Sequence, residues 1–493
     1  MADESPAQFL GRRAFLKEAS RRAESLFSYI DKRIRPQLFL VEISPDEACA
    51  MRAEVVAPEN FWISSGDFSD MASVAAKIAA EAQSQKRRAA PSQDVLSATF
   101  HGARDVVSRI VTSCPKRPAD TAFFVSDPAT LGDTDVFIVF GIEHDILEKY
   151  PSLDLPSDAD LGLSPSFMVS LIEEFLEKHR IELDMPVSPS ESGGFHFGLD
   201  SIIRQAGRNF VGDIAYRVSG KPQPLWHEHI FSVCTEISRT HYELAEASGA
   251  ILLAPAGLDY LASSVRFSAN PRLGDVRSTR KLLELTKDGL VLHSDSETIF
   301  GLCRPPRRLP KSANCFFIEF LGRHRWQISY SGKPLIVVSY GVPMPPSSSF
   351  EAREFANSLK KVFGFKAPRK IDRLVELIQT ATREKKGTML VFSKSARDEA
   401  KRLAPQSTPI APMPLTKQIL SSLTPIDGAI LIDHNGVCHS IGTILDGIVT
   451  SSGDSSRGAR YNSAVKYIES RKAAGETCMA ITVSEDGIVD IVT

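Results

Sequence analysis

The 493-residue sequence is poor in the groups that staple small folds or hold structural metals. Its seven cysteines, at 49, 114, 234, 303, 315, 438 and 478, are odd in number, scattered and never spaced as CxxC. This excludes a disulfide framework and a cysteine zinc site, and predicts a reduced, cytoplasmic setting. Excess charge of either sign is also missing: 58 Lys and Arg against 60 Asp and Glu leave a formal charge of −2. Nucleic-acid binding through bulk positive charge is therefore not expected. Apolar runs such as 136–140 and 250–254 have strand length and fall short of the roughly 20 residues that cross a bilayer. The first residues carry Asp3 and Glu4 where an export signal carries base, so neither membrane insertion nor secretion is predicted.

What is present is an ordinary globular composition, 43% apolar and 24% charged, in a chain long enough for about three domains. Pro, Ser and Gly concentrate at 185–194 and 341–349, which divides the chain into residues 1–190, 195–350 and 351–493. The first part alternates helical patterns (15–34, 71–84) with apolar strand-like runs (38–43, 122–125, 136–142), giving an α/β domain without a site motif. Arg12, Arg13, Lys17, Arg21 and Arg22 interleave with Glu18 and Glu24, the pattern of a solvated helix face.

The second and third parts share a plan. In the third, an amphipathic helix at 371–381 leads into the apolar run 387–392, and a second helix near 415–420 leads into Asp427-Gly-Ala and the run to 432. In the second, 230–238 leads into 249–253, and 279–285 leads into Asp288-Gly and the run to 292. The intervals from the first Gly to the Asp are nearly equal, from 249 to 288 and from 387 to 427. The copies then diverge. The third part turns at Asn435-Gly436, a dipeptide suited to positive φ, passes Gly442 and a Ser/Gly-rich stretch at 450–456, and opens a helix at Arg457-Gly-Ala-Arg460. The second part lacks that loop-to-helix element.

A helix start presents unpaired N–H groups and the positive end of a dipole, Gly458 permits close backbone approach, and Arg457 and Arg460 add donors for phosphate oxygens. Asp427 supplies a carboxylate able to hold a divalent metal that bridges phosphates. Glu485, in the hairpin 483–487, is the candidate for a second metal carboxylate. The pairs His227/His229 and His434/His439 lack the further ligands of a zinc site and are predicted to be structural.

The ordered series of Gly-led strand, helix, Asp427-Gly428-Ala429 strand, Gly442, Arg-Gly-Ala-Arg at a helix start and Val-Ser-Glu hairpin resembles the diadenylate cyclase domain from about 366 to 493. That is the nucleotidyltransferase of the DNA integrity scanning protein and of membrane-bound cyclases that make cyclic di-AMP. Family members carry Asp-Gly-Ala, matched at 427–429, and Gly-Thr-Arg-His-Arg, matched at Gly458 and Arg460 but not at Ala459, Tyr461 and Asn462. The resemblance implies a mixed sheet flanked by helices, with Asp427 as metal ligand and catalytic residue beside Arg460. It implies a phosphate-binding set of Gly428, Ala429, Gly442, Arg457, Gly458, Ala459, Arg460 and Tyr461, and a cofactor of Mg²⁺, Mn²⁺ or Co²⁺. Two ATP would become cyclic di-AMP and two pyrophosphates across a face-to-face homodimer or higher oligomer. Residues 195–350 look like the sensor region called DACNV, a degenerate cyclase-like unit answering an unidentified signal. Because Ala459 and Tyr461 break the pattern, the competing expectation is a nucleotide-binding module without catalysis. DNA scanning is not expected, since the sequence contains no helix-hairpin-helix.

Overall fold

The computed structural model describes residues 6–45, 51–86, 97–153, 162–184, 198–224, 228–258, 263–306, 314–322, 324–346, 352–365, 368–382, 387–447, 458–484 and 489–493. The chain forms two compact units, residues 1–346 and 347–493, and the fold is α/β in both.

The N-terminal unit begins with α1 (Pro6–Ile30), β1 (Gln37–Pro45), β2 (Met51–Val56), α2 (Met71–Lys86), α3 (Ser97–Ser113), β3 (Thr121–Val125), β4 (Ala129–Leu131), β5 (Thr134–Glu143) and the single turn α4 (His144–Leu147). The strands make an antiparallel sheet in the order β2-β1-β5-β3, with β4 on β5. Alternation along β1 and β5 sends Leu38, Leu40 and Phe140 to one face and Phe39, Val41 and Val139 to the other, and both faces are buried. The basic face expected of α1 is not fully solvated: Arg12 is buried in an ion pair with Glu42 of β1, and Arg22 reaches Glu182 at 2.7 Å. Two long helices, α5 (Phe167–Asp184) and α6 (Leu199–Ser219), pack on each other, and their apolar residues belong to one core that runs from Leu16 to Val338.

That core continues under the second sheet, built from α7 (Ile230–Arg239), β6 (Ser248–Leu253), β7 (Ser263–Arg266), α8 (Val276–Leu283), β8 (Val291–Ser294), β9 (Ile299–Cys303), β10 (Phe316–Gly322), β11 (Arg325–Tyr330), β12 (Lys333–Ser339) and β13 (Val342–Met344). The C-terminal unit contains α9 (Ala352–Phe363), α10 (Pro368–Ala381), β14 (Thr388–Ser393), α11 (Ala396–Arg402), β15 (Thr408–Pro414), α12 (Lys417–Leu423), β16 (Ala429–Asp433), β17 (Val437–Thr443), α13 (Ala459–Ala473), β18 (Cys478–Val483) and β19 (Val489–Val492).

The two sheets share a topology. The order β7-β9-β8-β6-β10-β11 in the first recurs as β15-β17-β16-β14-β18-β19 in the second. In each, the pair either side of the crossover is parallel (β6 with β8, β14 with β16) and every other pairing is antiparallel. The repeat read from spacing is thus a repeat of fold. The first copy extends its edge with β12 and β13, and among the described residues has no counterpart of α11 or α13.

In the C-terminal sheet both faces of β14 and β16 are buried, which is why these strands read as unbroken apolar runs. Leu390, Phe392, Ile430 and Ile432 face α9, α10 and α12; Met389, Val391, Ala429 and Leu431 face α11 and α13. Small residues on the α13 side, Ala429, Ala464 and Ala480, let that helix lie close to the sheet.

Candidate functional site

The site grows from the turn before β16. Gly428 adopts φ +104°, and a Cβ there would lie 2.5 Å from the carbonyl carbon of Gly442, itself at φ +59°. Two bare backbones therefore touch, and the end of β17 lies against the Asp427-Gly428 turn. Ala429 is buried, paired with Met389 on one side and Thr443 on the other. Asp427, just ahead of the strand, is held out with its side chain fully exposed.

The second component is α13. Gly458 is its N-cap, with extended backbone (φ −66°, ψ 165°) and no side chain of its own to cap the helix. Arg460 lies on that turn, its Nη2 3.5 Å from Asp427 Oδ1. Ala459 is exposed and Tyr461 partly so; the Asn462 N–H closes the turn onto the Gly458 carbonyl at 3.2 Å. Asp427, Gly428, Ala429, Gly442, Gly458 and Arg460 are thus gathered at one end of the sheet. Arg457 and Glu485 lie outside the described residues.

The histidines stand elsewhere. His434 is at the far end of β16 from Asp427, about 20 Å along the strand, stacked near Phe363 and Phe365. His439 Nε2 is 3.5 Å from Asp433. Asp433 also accepts from the N–H groups of Asn435 and Val437, forming the expected turn with Gly436 at φ +81°. His229 caps α7, its Nδ1 accepting from the Phe231 N–H at 3.1 Å; Trp226 and His227 lie outside the described residues. Among the described residues no three His, Cys, Asp or Glu side chains gather as a metal site.

A charged cluster behind α13, buried at Glu399 and Tyr467 and open to solvent at Arg402 and Asp446, was not foreseen. Glu399 of α11 accepts from Arg402 (2.9 Å), Tyr467 (2.7 Å) and Arg471 (3.1 Å), and Arg402 also grips Asp446 (2.8 Å) just beyond β17. Burial pushes the Glu399 carboxyl up, but the Arg402 and Tyr467 hydrogen bonds and the Arg402 and Arg471 charges bring it below the usual carboxylate range. The hydrogen bond from Arg402 likewise lowers Asp446. The i,i+3 spacing of Glu399 and Arg402 was the only sequence signal for this cluster.

With that geometry in view, family models match three stretches. Residues 375–493 match the DisA bacterial checkpoint controller nucleotide-binding domain, DAC. Residues 375–493 form a DAC nucleotide-binding domain. It is preceded by a probable sensor domain DACNG over 12–211 and a probable sensor domain DACNH over 228–332. The sensor resemblance holds in kind, the matched types being DACNG and DACNH where DACNV was expected. The DACNH span runs from just ahead of α7 to the turn between β11 and β12, and so encloses the sheet order that the DAC domain repeats. No curated protein and no solved structure matches the chain. No described helix is long and apolar enough to cross a membrane.

Proposed function

We propose that the DAC domain is a diadenylate cyclase, condensing two ATP into cyclic di-AMP with release of two pyrophosphates, and that the DACNG and DACNH domains control it. The observation that carries this reading is the approach of Asp427 and Arg460, a carboxylate from a strand start and a guanidinium from a helix start, within 3.5 Å in a nucleotide-binding domain. Mg²⁺, Mn²⁺ or Co²⁺ fits this donor set, because such ions take one or two carboxylates together with substrate phosphates and Asp427 offers a fully exposed one. When bound, the ion supplies neutralisation of phosphate charge. Arg460 pairs with phosphate oxygens, and the first N–H groups of α13 donate to others. The missing hydroxyl at Ala459 leaves backbone donation there, and the Tyr461 hydroxyl offers one donor. Catalysis on this reading is positioning and charge stabilisation.

One DAC domain carries one such set of groups. Both 3′-hydroxyls can then attack the opposite α-phosphates only if two domains face each other, so the working unit is a homodimer. The test is to incubate the full chain with ATP and each metal, identify products by mass, and repeat with Asp427→Asn. The expected outcome is a cyclic dinucleotide, a rate per chain that rises with protein concentration, and a loss of about 100-fold or more in the variant. ATP binding without any cyclic product would move the assignment to a non-catalytic nucleotide module.

A further inference from the structure

We propose that Arg402 and Asp446, working through Glu399 and Tyr467, are positioning residues that set the separation of Asp427 from the first turn of α13, and hence the fit of the nucleotide phosphates. The proposal rests on the nucleotide reading above.

The contacts close a ring. Asp427 and Gly428 lie against Gly442 at the end of β17. The segment leaving β17 is held at three points: Ile444 donates its N–H to the Gln406 carbonyl at 3.0 Å, Asp446 receives the Arg402 fork, and Gly447 lies so close to α13 that a Cβ would sit 2.8 Å from the Lys466 carbonyl. Arg402 turns its other edge to Glu399, which is 5% exposed. Glu399 in turn takes Tyr467 and Arg471, one turn apart on α13. The same helix carries Arg460 back to Asp427. One buried carboxylate thereby ties α11, the outgoing end of β17 and α13.

Stability does not account for this arrangement. The Arg402–Asp446 pair is open to solvent, where such pairs contribute about 0–1 kcal/mol, the contacts of the buried Glu399 carboxylate contribute little beyond what apolar packing of the same volume would, and the apolar contacts of Ala464 and Ile468 already hold α13 to the sheet. Apolar packing is non-directional, however, and tolerates small slides. A planar guanidinium gripping two carboxylates fixes both distance and angle. The cluster also balances its own charge, two carboxylates against two guanidiniums, so its effect on a phosphate ligand is geometric rather than attractive.

The test uses the full chain, with ATP and Mg²⁺ as the probe and the dissociation constant as the readout, at a temperature where every variant is folded by circular dichroism. Asp446→Asn, Arg402→Lys and Tyr467→Phe are each expected to weaken ATP by about 10- to 100-fold, the range produced by misplacing binding groups by about an ångström. Asp446→Glu is expected to restore most of the affinity, and Arg402→Lys with Asp446→Asn to bind no worse than the weaker single variant, since both break one fork. Wild-type affinity in the single variants overturns the proposal, as do losses that sum in the double variant. If Arg402→Lys does not fold, Tyr467→Phe, which removes one hydroxyl from an otherwise intact ring, decides the matter. A wild-type chain that binds no ATP overturns the nucleotide reading itself, and this proposal with it.

Discussion

Between Gly428 and Gly442 there is no room for a methyl group. Gly428→Ala places a Cβ against backbone and forces a side-chain residue to φ +104°, so strain and overpacking both apply. The expected cost is about 3 kcal/mol or more in urea unfolding of the C-terminal unit. Gly458→Ala is the control: nothing lies within 4 Å of its added Cβ and its φ is −66°, so the loss stays near 1 kcal/mol or below. Equal stability for the two variants would remove the argument that Gly428 is there to let the strands touch. Single residues of this kind were legible from sequence because Asp-Gly, Gly at a helix start and Arg beside it carry their chemistry in their identity. Glu399, Arg402 and Asp446 were not. Charged residues on a short helix read as a solvated face, and nothing local links Arg402 to a carboxylate three strands and a helix further along the chain.

At the scale of elements, the spacing that exposed the repeat was legible for a physical reason. A parallel strand pair needs a crossover connection, in both copies an edge strand and a helix (β7 and α8, β15 and α12), so nearly equal intervals from Gly249 to Asp288 and from Gly387 to Asp427 mark the same plan although only the second copy carries α11. What periodicity does not reveal is the partner of an apolar face. The helical pattern at 15–34 was visible, yet the packing of α1 into one core with both N-terminal sheets depends on tertiary contacts alone. Helix α7 also carries a pH dependence. Burial, with the nearby positive charge of Arg208, lowers its capping His229 from 6.5 to about 4. The folded state therefore favours neutral imidazole. Its contribution is full above pH 6.5 and is lost as pH falls toward about 4, since there the unfolded chain binds the extra proton. The loss attributable to this group is about 3 kcal/mol across that window. His229→Asn keeps a cap acceptor while removing the titration, so its stability should fall less steeply between pH 6.5 and 4, even though the smaller side chain lowers stability at every pH. His179 and His293, also lowered by burial, keep some slope in the variant. An unchanged slope would mean that His229 titrates alike in both states.

On the scale of the whole molecule, the C-terminal unit has the features of a domain that folds without the rest. Its sheet is covered on both faces by its own helices, α9, α10 and α12 on one side and α11 and α13 on the other, and both cores are built entirely from residues beyond 347. A fragment of residues 347–493 is expected to unfold in one cooperative transition, and calorimetry of the full chain to show that transition beside a second one from residues 1–346. A fragment that binds hydrophobic dye and melts without cooperativity would contradict this. The fragment also separates two modes of control. The DACNH sheet repeats the DAC strand order but, among the described residues, lacks a helix at the position of α13, so it repeats the fold without the turn proposed to bind phosphate. If the sensor region restrains the enzyme by taking the partner's place, the fragment will form cyclic product faster per domain than the full chain at equal concentration. The excess will shrink as concentration rises and true dimers win by mass action. Equal rates at every concentration would exclude the pseudo-partner and leave the signal to act by changing the DAC domain itself.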